Sequence, residues 1–267
     1  TTLKANILRA TLSKQFSDTR KGNLSVVSSD FEKMYKNYYA SGYTAGASVV
    51  TMDGYLDPTE RENTIISGSM VNEVGKHTLL VGAELIDTTN NNHRYNTFWS
   101  TTSDDNEVFT ITRPMNFTVN SAGVATNNDF TADLKSKTKS DIDVTSIYIQ
   151  DQIDVSDKLK LMVGGRHDSF DITVTDIKAG SAQSRKDSKF SPRAGVIFKP
   201  QDNISWYYSY SESFLPRSGE QYKKLTASAA ALDPDVYESS EVGVKWAISD
   251  DLSFTAAYFD SEQTVAT

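Results

Sequence analysis

Asn203 to Trp246 reads NISWYYSYSESFLPRSGEQYKKLTASAAALDPDVYESSEVGVKW, and this stretch decides the fold class. Its opening alternates with period two. Ile204, Trp206, Tyr208, Tyr210 and Phe214 fall on one face, and Ser205, Ser209, Ser211 and Ser213 on the other. Successive side chains of a strand point to opposite faces, so the segment predicts a ribbon with one apolar aromatic side and one small polar side. After Phe214 the pattern lapses for about twenty residues. It resumes as Val236, Val242, Val244, Trp246 and Ile248 against Ser239, Glu241, Gly243 and Lys245. Two neighbouring strands joined by a long polar loop, each about ten residues of alternating hydrophobicity, are the signature of a transmembrane β-barrel with a wet lumen.

Working outward, the same arrangement repeats. Leu3–Gln15 and Asn23 to about Lys36 read as strands around the turn SDTRKG. Glu62–Asn72 and His77 to about Asp87 pair around Glu73–Lys76, with Leu79, Val81, Ala83 and Leu85 sharing a face. Asp141–Asp154 and Leu159–Asp176 turn at Val155–Lys158, but Ile147 and Ile149 compete there with Val144 and Tyr148 for the apolar face, so facing stays unassigned. Phe190–Lys199 precedes the opening stretch, and Leu252–Phe259 closes the series. Between the pairs lie long segments read as loops: the Tyr- and Gly-rich NYYASGYTAGASVVTMDGYLDPTERE, the aperiodic run from Thr88 to about Ser140, and the basic KAGSAQSRKD. The fold class is therefore all-β: an antiparallel transmembrane β-barrel section of about ten strands, with short turns alternating with long loops. A soluble β-sandwich has no reason to alternate its loop lengths in this way.

Composition narrows the function classes. Of the 267 residues 38% are hydrophobic and mean hydropathy is −0.45, too low for a helical membrane protein but compatible with a wall in which every second residue is apolar. Cys is absent, which excludes disulfides and thiolate metal sites. A net charge of −8 argues against nucleic acid as a partner. His77, His93 and His167 lack the spacing of a zinc site, and Gly75-Lys76-His77-Thr78 lacks the glycines of a phosphate loop. Ser136 to Lys139 and the acidic Asp104, Asp105 and Glu107 read as solvated loop, so no catalytic or metal-binding residue is assigned and the chain reads as not an enzyme. The start, TTLKANILRATL, has no signal-peptide pattern, so a barrel reading makes the chain a fragment, residues 1–267 being part of one barrel domain.

Several segments resemble one family in series. YSYSESFLPRSGEQY, LDPDVYESSEVGVKW and SFTAAYFD are similar to the barrel of TonB-dependent siderophore receptors, particularly of the ferric-catecholate type. TMDGYLDPTEREN, HTLLVGAEL, SIYIQDQIDVSDKLKLMVGGRHD and FSPRAGVIFKP resemble it too, in the same order. The resemblance implies a bacterial outer-membrane location and a 22-stranded barrel closed by an N-terminal plug. It also implies a partner TonB complex acting through that plug, and ferric iron carried as a siderophore complex rather than as a bound cofactor. Outer-membrane lipid is the remaining partner. Candidate ligand residues are those whose aromatic faces suit flat rings or whose cations suit an anionic complex: Tyr39, Tyr43, Tyr55, Arg94, Tyr95, Trp99, Arg113, Arg217, Tyr222 and Lys223. Trp206 and Trp246, on apolar faces, read as lipid-facing anchors. Other readings carried are a diffusion porin, an adhesin or phage-docking barrel, and a soluble all-β carbohydrate-binding domain.

Overall fold

The computed structural model describes residues 1–216 and 225–264. Ten strands form one antiparallel meander: β1 (Thr2–Ser17), β2 (Arg20–Thr44), β3 (Val49–Val74), β4 (His77–Asn96), β6 (Asp133–Ser156), β7 (Leu159–Asp176), β8 (Ser181–Gln201), β9 (Ile204–Leu215), β10 (Asp235–Ser249) and β11 (Leu252–Thr264). A short β5 (Glu107–Thr110), inside the long β4–β6 connection, pairs with β3 off this path. A single turn of helix, α1 (Ala227–Ala230), precedes β10. Strands β1 and β11 are the two edges, so the sheet is a wall section and does not close on itself. No helix among the described residues is long and apolar enough to cross a membrane.

Register shows how the wall meets lipid. Val81 of β4 is opposite Ile149 of β6, Ala83 opposite Ile147, and Leu85 opposite Thr145. The same outward face continues through Leu161 and Val163, Val196 and Phe198, Trp206 and Tyr208, Val242, Val244 and Trp246, and Phe254 and Tyr258. Trp206 and Trp246 are exposed there, as an interfacial anchor requires. Facing in β6, unassigned from sequence, is now settled: Ile147 and Ile149 look out, while Ile142, Val144 and Tyr148 look in.

The inner face is polar and carries closely fitted pairs. Arg166 donates to Glu84 at 2.8 Å, to Asp168 at 2.6 Å and to Ser146 at 2.7 Å, linking β4, β6 and β7 across the wall. The Arg166–Asp168 ion pair is therefore part of a larger network. Gly82 lies under the Tyr148 ring, where a Cβ would sit 2.3 Å from the Cζ and hydroxyl, so a side chain at that position would push the ring aside. One apolar patch interrupts the inner face, formed by Ile142, Val144, Ile172 and Val174 and capped by Leu225 from the β9–β10 connection.

The strands are longer than periodicity indicated. Spanning the hydrocarbon takes about 9–11 residues per strand, yet β2 has 25 and β3 has 26, enough to run about 80 Å along the strand. The Tyr-rich segment read as a loop is therefore the far half of a β2–β3 hairpin closed by a turn at 45–48. KAGSAQSRKD likewise is not a loop: it contributes the last three residues of a four-residue turn at 177–180 and then the start of β8. At one end of the wall all connections are two-residue turns. At the other, two of the four are also short, so long loops alternate less strictly than expected.

Candidate functional site

The site lies on the inner face of the extended β2, β3 and β4, beyond the lipid band. Arg94 is nine positions past Leu85 on β4, about 30 Å further along the strand and past the last apolar residue of its outward face, which continues as Asp87, Thr89, Asn91 and His93. Strand alternation brings Tyr35 and Tyr39 of β2, Asp53, Tyr55 and Asp57 of β3, and Arg94 of β4 to one side. Tyr55 is central, with ring centroids 5.7 Å from Tyr35 and 6.1 Å from Tyr39. The Arg94 guanidinium lies 4.2 Å over the Tyr55 ring and donates to both carboxylate oxygens of Asp57, at 2.7 and 2.5 Å. Pro58 favours this contact: the β3–β4 ladder is interrupted between Leu56 and Thr59, and the ion pair bridges the gap.

Loop and wall meet at Asp53. The Tyr39 hydroxyl donates to one Asp53 oxygen at 2.6 Å, and the Thr97 hydroxyl to the other at 3.2 Å. Thr97 also donates its backbone N–H to the Gly54 carbonyl at 3.0 Å. A Cβ at Gly54 would sit 2.5 Å from the Asn37 carbonyl, so glycine is needed for this close approach.

These contacts fix ionisation. The hydrogen bond to Asp53, reinforced by burial, pushes the Tyr39 phenol up to about 12, so it stays a neutral donor in any physiological medium. The Tyr35 phenol is also raised, chiefly through its hydrogen bond and charge interaction with Tyr55. Arg94 is held above its ordinary range by the hydrogen bonds to Asp57. Burial raises Asp105, with Asp104 and Asp53 adding to the effect. The result is a cluster of three mutually tilted tyrosine rings rimmed by hydroxyls, with a guanidinium over the central one. Such a surface suits planar or hydroxyl-rich ligands.

Of the residues singled out from sequence, Tyr39, Tyr55 and Arg94 come together here. Tyr43 does not, because a register shift between Ala40 and Gly42 leaves Ser41 over and turns Tyr43 to the opposite face, where it pairs with Val50 and is 65% exposed. Tyr95 alternates away from Arg94 and stacks on His93 with centroids 6.4 Å apart. Trp99 is 1% exposed inside the β4–β6 loop and has no face left for a ligand. Arg113 sits exposed on that loop, beside a cis bond to Pro114, apart from the cluster. Arg217, Tyr222 and Lys223 lie outside the described residues. Sequence reasoning missed Tyr35, Asp53 and Asp57; the signal was their odd-numbered alternation with Tyr39 and Tyr55, legible only once the segment is recognised as strand.

The β4–β6 loop is itself folded. Trp99 packs on Phe109 (5.0 Å), Tyr38 (5.9 Å) and Phe117 (6.3 Å), and Tyr38 meets Phe130 at 5.0 Å. With Val50 and Met52 this core covers the outward face of the β2–β3 extension, opposite the Tyr55 platform. Asp104, Asp105 and Glu107 serve as local hydrogen-bond acceptors within it, for Asp105 N–H, the Asn106 side chain and Val108 N–H.

Residues 4–264 match the family described as TonB dependent receptor-like, beta-barrel. This chain belongs to the TonB-dependent receptors. It is 32% identical over 132 residues to a probable TonB-dependent siderophore receptor, PiuA, of Acinetobacter baumannii, an alignment covering 46% of this chain and 18% of that protein. It is 29% identical over 176 residues to the ferrichrome outer membrane transporter/phage receptor of Escherichia coli K12, covering 65% of this chain and 21% of that one. The crystal structure of the siderophore receptor PiuA from Acinetobacter baumannii superposes with a TM-score of 0.74 at 20% identity, over 96% of this chain and 40% of that chain. These matches thus span well under half the length of the relatives. The TonB-dependent receptor wall places the chain in the outer membrane, with the two-residue turns at one rim and the Tyr55 platform towards the other.

Proposed function

We propose that the chain is the wall of a receptor that binds ferric siderophores at the outer surface and imports them with TonB-derived energy. The observation that carries this reading is the Tyr35–Tyr39–Tyr55 platform with Arg94 stacked on it, facing inward above the lipid band of a TonB-dependent receptor wall. Ferric iron arrives as the siderophore complex and is cargo; the barrel performs no chemistry on it and is not an enzyme. A plug domain is the partner through which TonB acts. The inner face near the two-residue turns offers a groove of about 290 Å³ whose surface is mainly apolar, with Met162, Ile197 and Tyr207 in its lining and Gln152, Lys160 and Lys245 beside them, a surface for such a partner to cover. The site residues proposed for the ligand are Tyr39, Tyr55 and Arg94, joined by Tyr35.

Uptake of radiolabelled iron by cells expressing the gene tests this against a porin. Import is expected to fall to background when a protonophore collapses the proton gradient, while surface binding persists. Import that continues unchanged with the gradient collapsed would mean a diffusion pore and end the receptor reading.

A further inference from the structure

We infer that Asp57 is a specificity determinant: by holding Arg94 in a two-bond ion pair inside a net-acidic cluster, it makes the Tyr55 platform favour ferric complexes of low or zero net charge over strongly anionic ones. This rests on the reading that the platform binds the ferric complex. Two observations carry it.

The first is geometric. Arg94 donates Nε–H and one Nη2–H to the two Asp57 oxygens, at 2.7 and 2.5 Å, and the guanidinium face lies on Tyr55 at 4.2 Å. The Asp57 side chain is the more enclosed partner of this pair, at 15% exposed against 45% for Arg94. An anionic ligand that approached the remaining Arg94 N–H groups would meet the Asp57 carboxylate beside them, and one that took over the Nε and Nη2 donors would leave Asp57 unpaired on a partly covered wall.

The second is the charge count. The groups that interact directly at the platform are Arg94 on one side and Asp53, Asp57 and Asp105 on the other. Asp104 stands beside Asp105 and adds to the acidic side. On the cationic side Lys33 also stands here, 5.9 Å over the Tyr35 ring on the exposed rim. Carboxylates therefore outnumber cations. The aromatic faces and the Tyr39 hydroxyl, by contrast, recognise a ligand through stacking and hydrogen bonding that need no ligand charge. Ligand chemistry supplies the distinction: iron(III) held by three hydroxamates is neutral, whereas iron(III) held by three doubly deprotonated catecholates carries three negative charges.

The test compares a tripodal iron(III) tris-hydroxamate with the tris-catecholate on the same scaffold, by equilibrium binding to the receptor in outer-membrane vesicles. The wild type is expected to bind the neutral complex more tightly. Asp57→Asn, which frees Arg94 and removes a negative charge, should move the affinity ratio towards the anionic complex by about tenfold or more at low salt, and by less at high salt. Asp53→Asn, which does not touch Arg94, should move the ratio in the same direction by a smaller factor, and serves if the first variant fails to insert. A ratio unchanged in both variants overturns the assignment of Asp57. If Tyr55→Ala at the same time abolishes binding of both complexes, the platform stands as the binding site and only the charge selectivity falls; if the wild type binds neither complex, both readings fall.

Discussion

Trp99→Ala is expected to unfold the β4–β6 loop while leaving the barrel wall intact. The indole is almost wholly enclosed, touches Phe109, Tyr38 and Phe117, and its backbone bonds to Asp104 and Ser103 fix the loop's first turn. Truncating a buried Trp to Ala typically costs about 3–5 kcal/mol through lost burial and the cavity left behind. Loop elements with few contacts elsewhere sit at the low end of local stability, so a loss of that size exceeds what holds this one closed. The wall has its own ladder bonds and lipid-facing apolar surface, and none of those depends on Trp99. Limited proteolysis should therefore cut the variant rapidly between residues 97 and 132, while the barrel keeps its wild-type resistance to denaturation in detergent. Equal protease resistance in the two proteins would show that the aromatic cluster does not hold the loop. Because Thr97 ties this loop to Asp53, the variant is also expected to bind ligand more weakly.

The double variant Tyr55→Ala/Arg94→Ala is expected to lower ferric-siderophore affinity by about 100-fold, near 3 kcal/mol. Tyr and Arg dominate binding hot spots because each presents a large preorganised surface, and here each positions the other. Tyr55 touches Tyr35, Tyr39 and Arg94, so its removal takes away the platform's centre. Losses from the single variants should not add up to the double, since the two side chains are in contact. Fluorescence titration of purified receptor gives the three affinities directly. An affinity within twofold of wild type in the double variant would place the ligand elsewhere.

Much of this was legible before any coordinates, for reasons that differ from segment to segment. Leu159–Asp176 has the same bounds in sequence and structure, because a polar turn closes a run whose side chains must face lipid on one side and water on the other. Leu79, Val81, Ala83 and Leu85 share the outward face for the same reason. Beyond the membrane that constraint lapses. In the β2–β3 extension the inner face is polar, and the outer face is covered not by lipid but by an aperiodic loop against Tyr38, Val50 and Met52, so no membrane period marks the segment and it resembles a loop. Tyr39, Tyr55 and Arg94 were found by residue type, whereas their grouping depends on register. The displacement of Tyr43 depends on one extra residue, Ser41, and no compositional signal reveals a bulge. Trp99 was misjudged as a ligand contact because its partners, Phe109, Phe117 and Tyr38, are brought to it by a loop fold without periodicity.

The most direct test of where ligand sits uses the absence of cysteine from these 267 residues: with any cysteine elsewhere in the receptor replaced by serine, a single introduced thiol carries a fluorophore. One receptor would be labelled at Asn37→Cys, opposite Tyr55 on the inner face, and another at Tyr95→Cys, on the outward face. Saturating with ferric siderophore, whose iron quenches fluorescence at short range, should strongly dim the label at position 37 and leave the label at position 95 nearly unchanged. Equal quenching at both positions, or stronger quenching at 95, would contradict an inner-face platform and with it the account of how this wall captures its ligand.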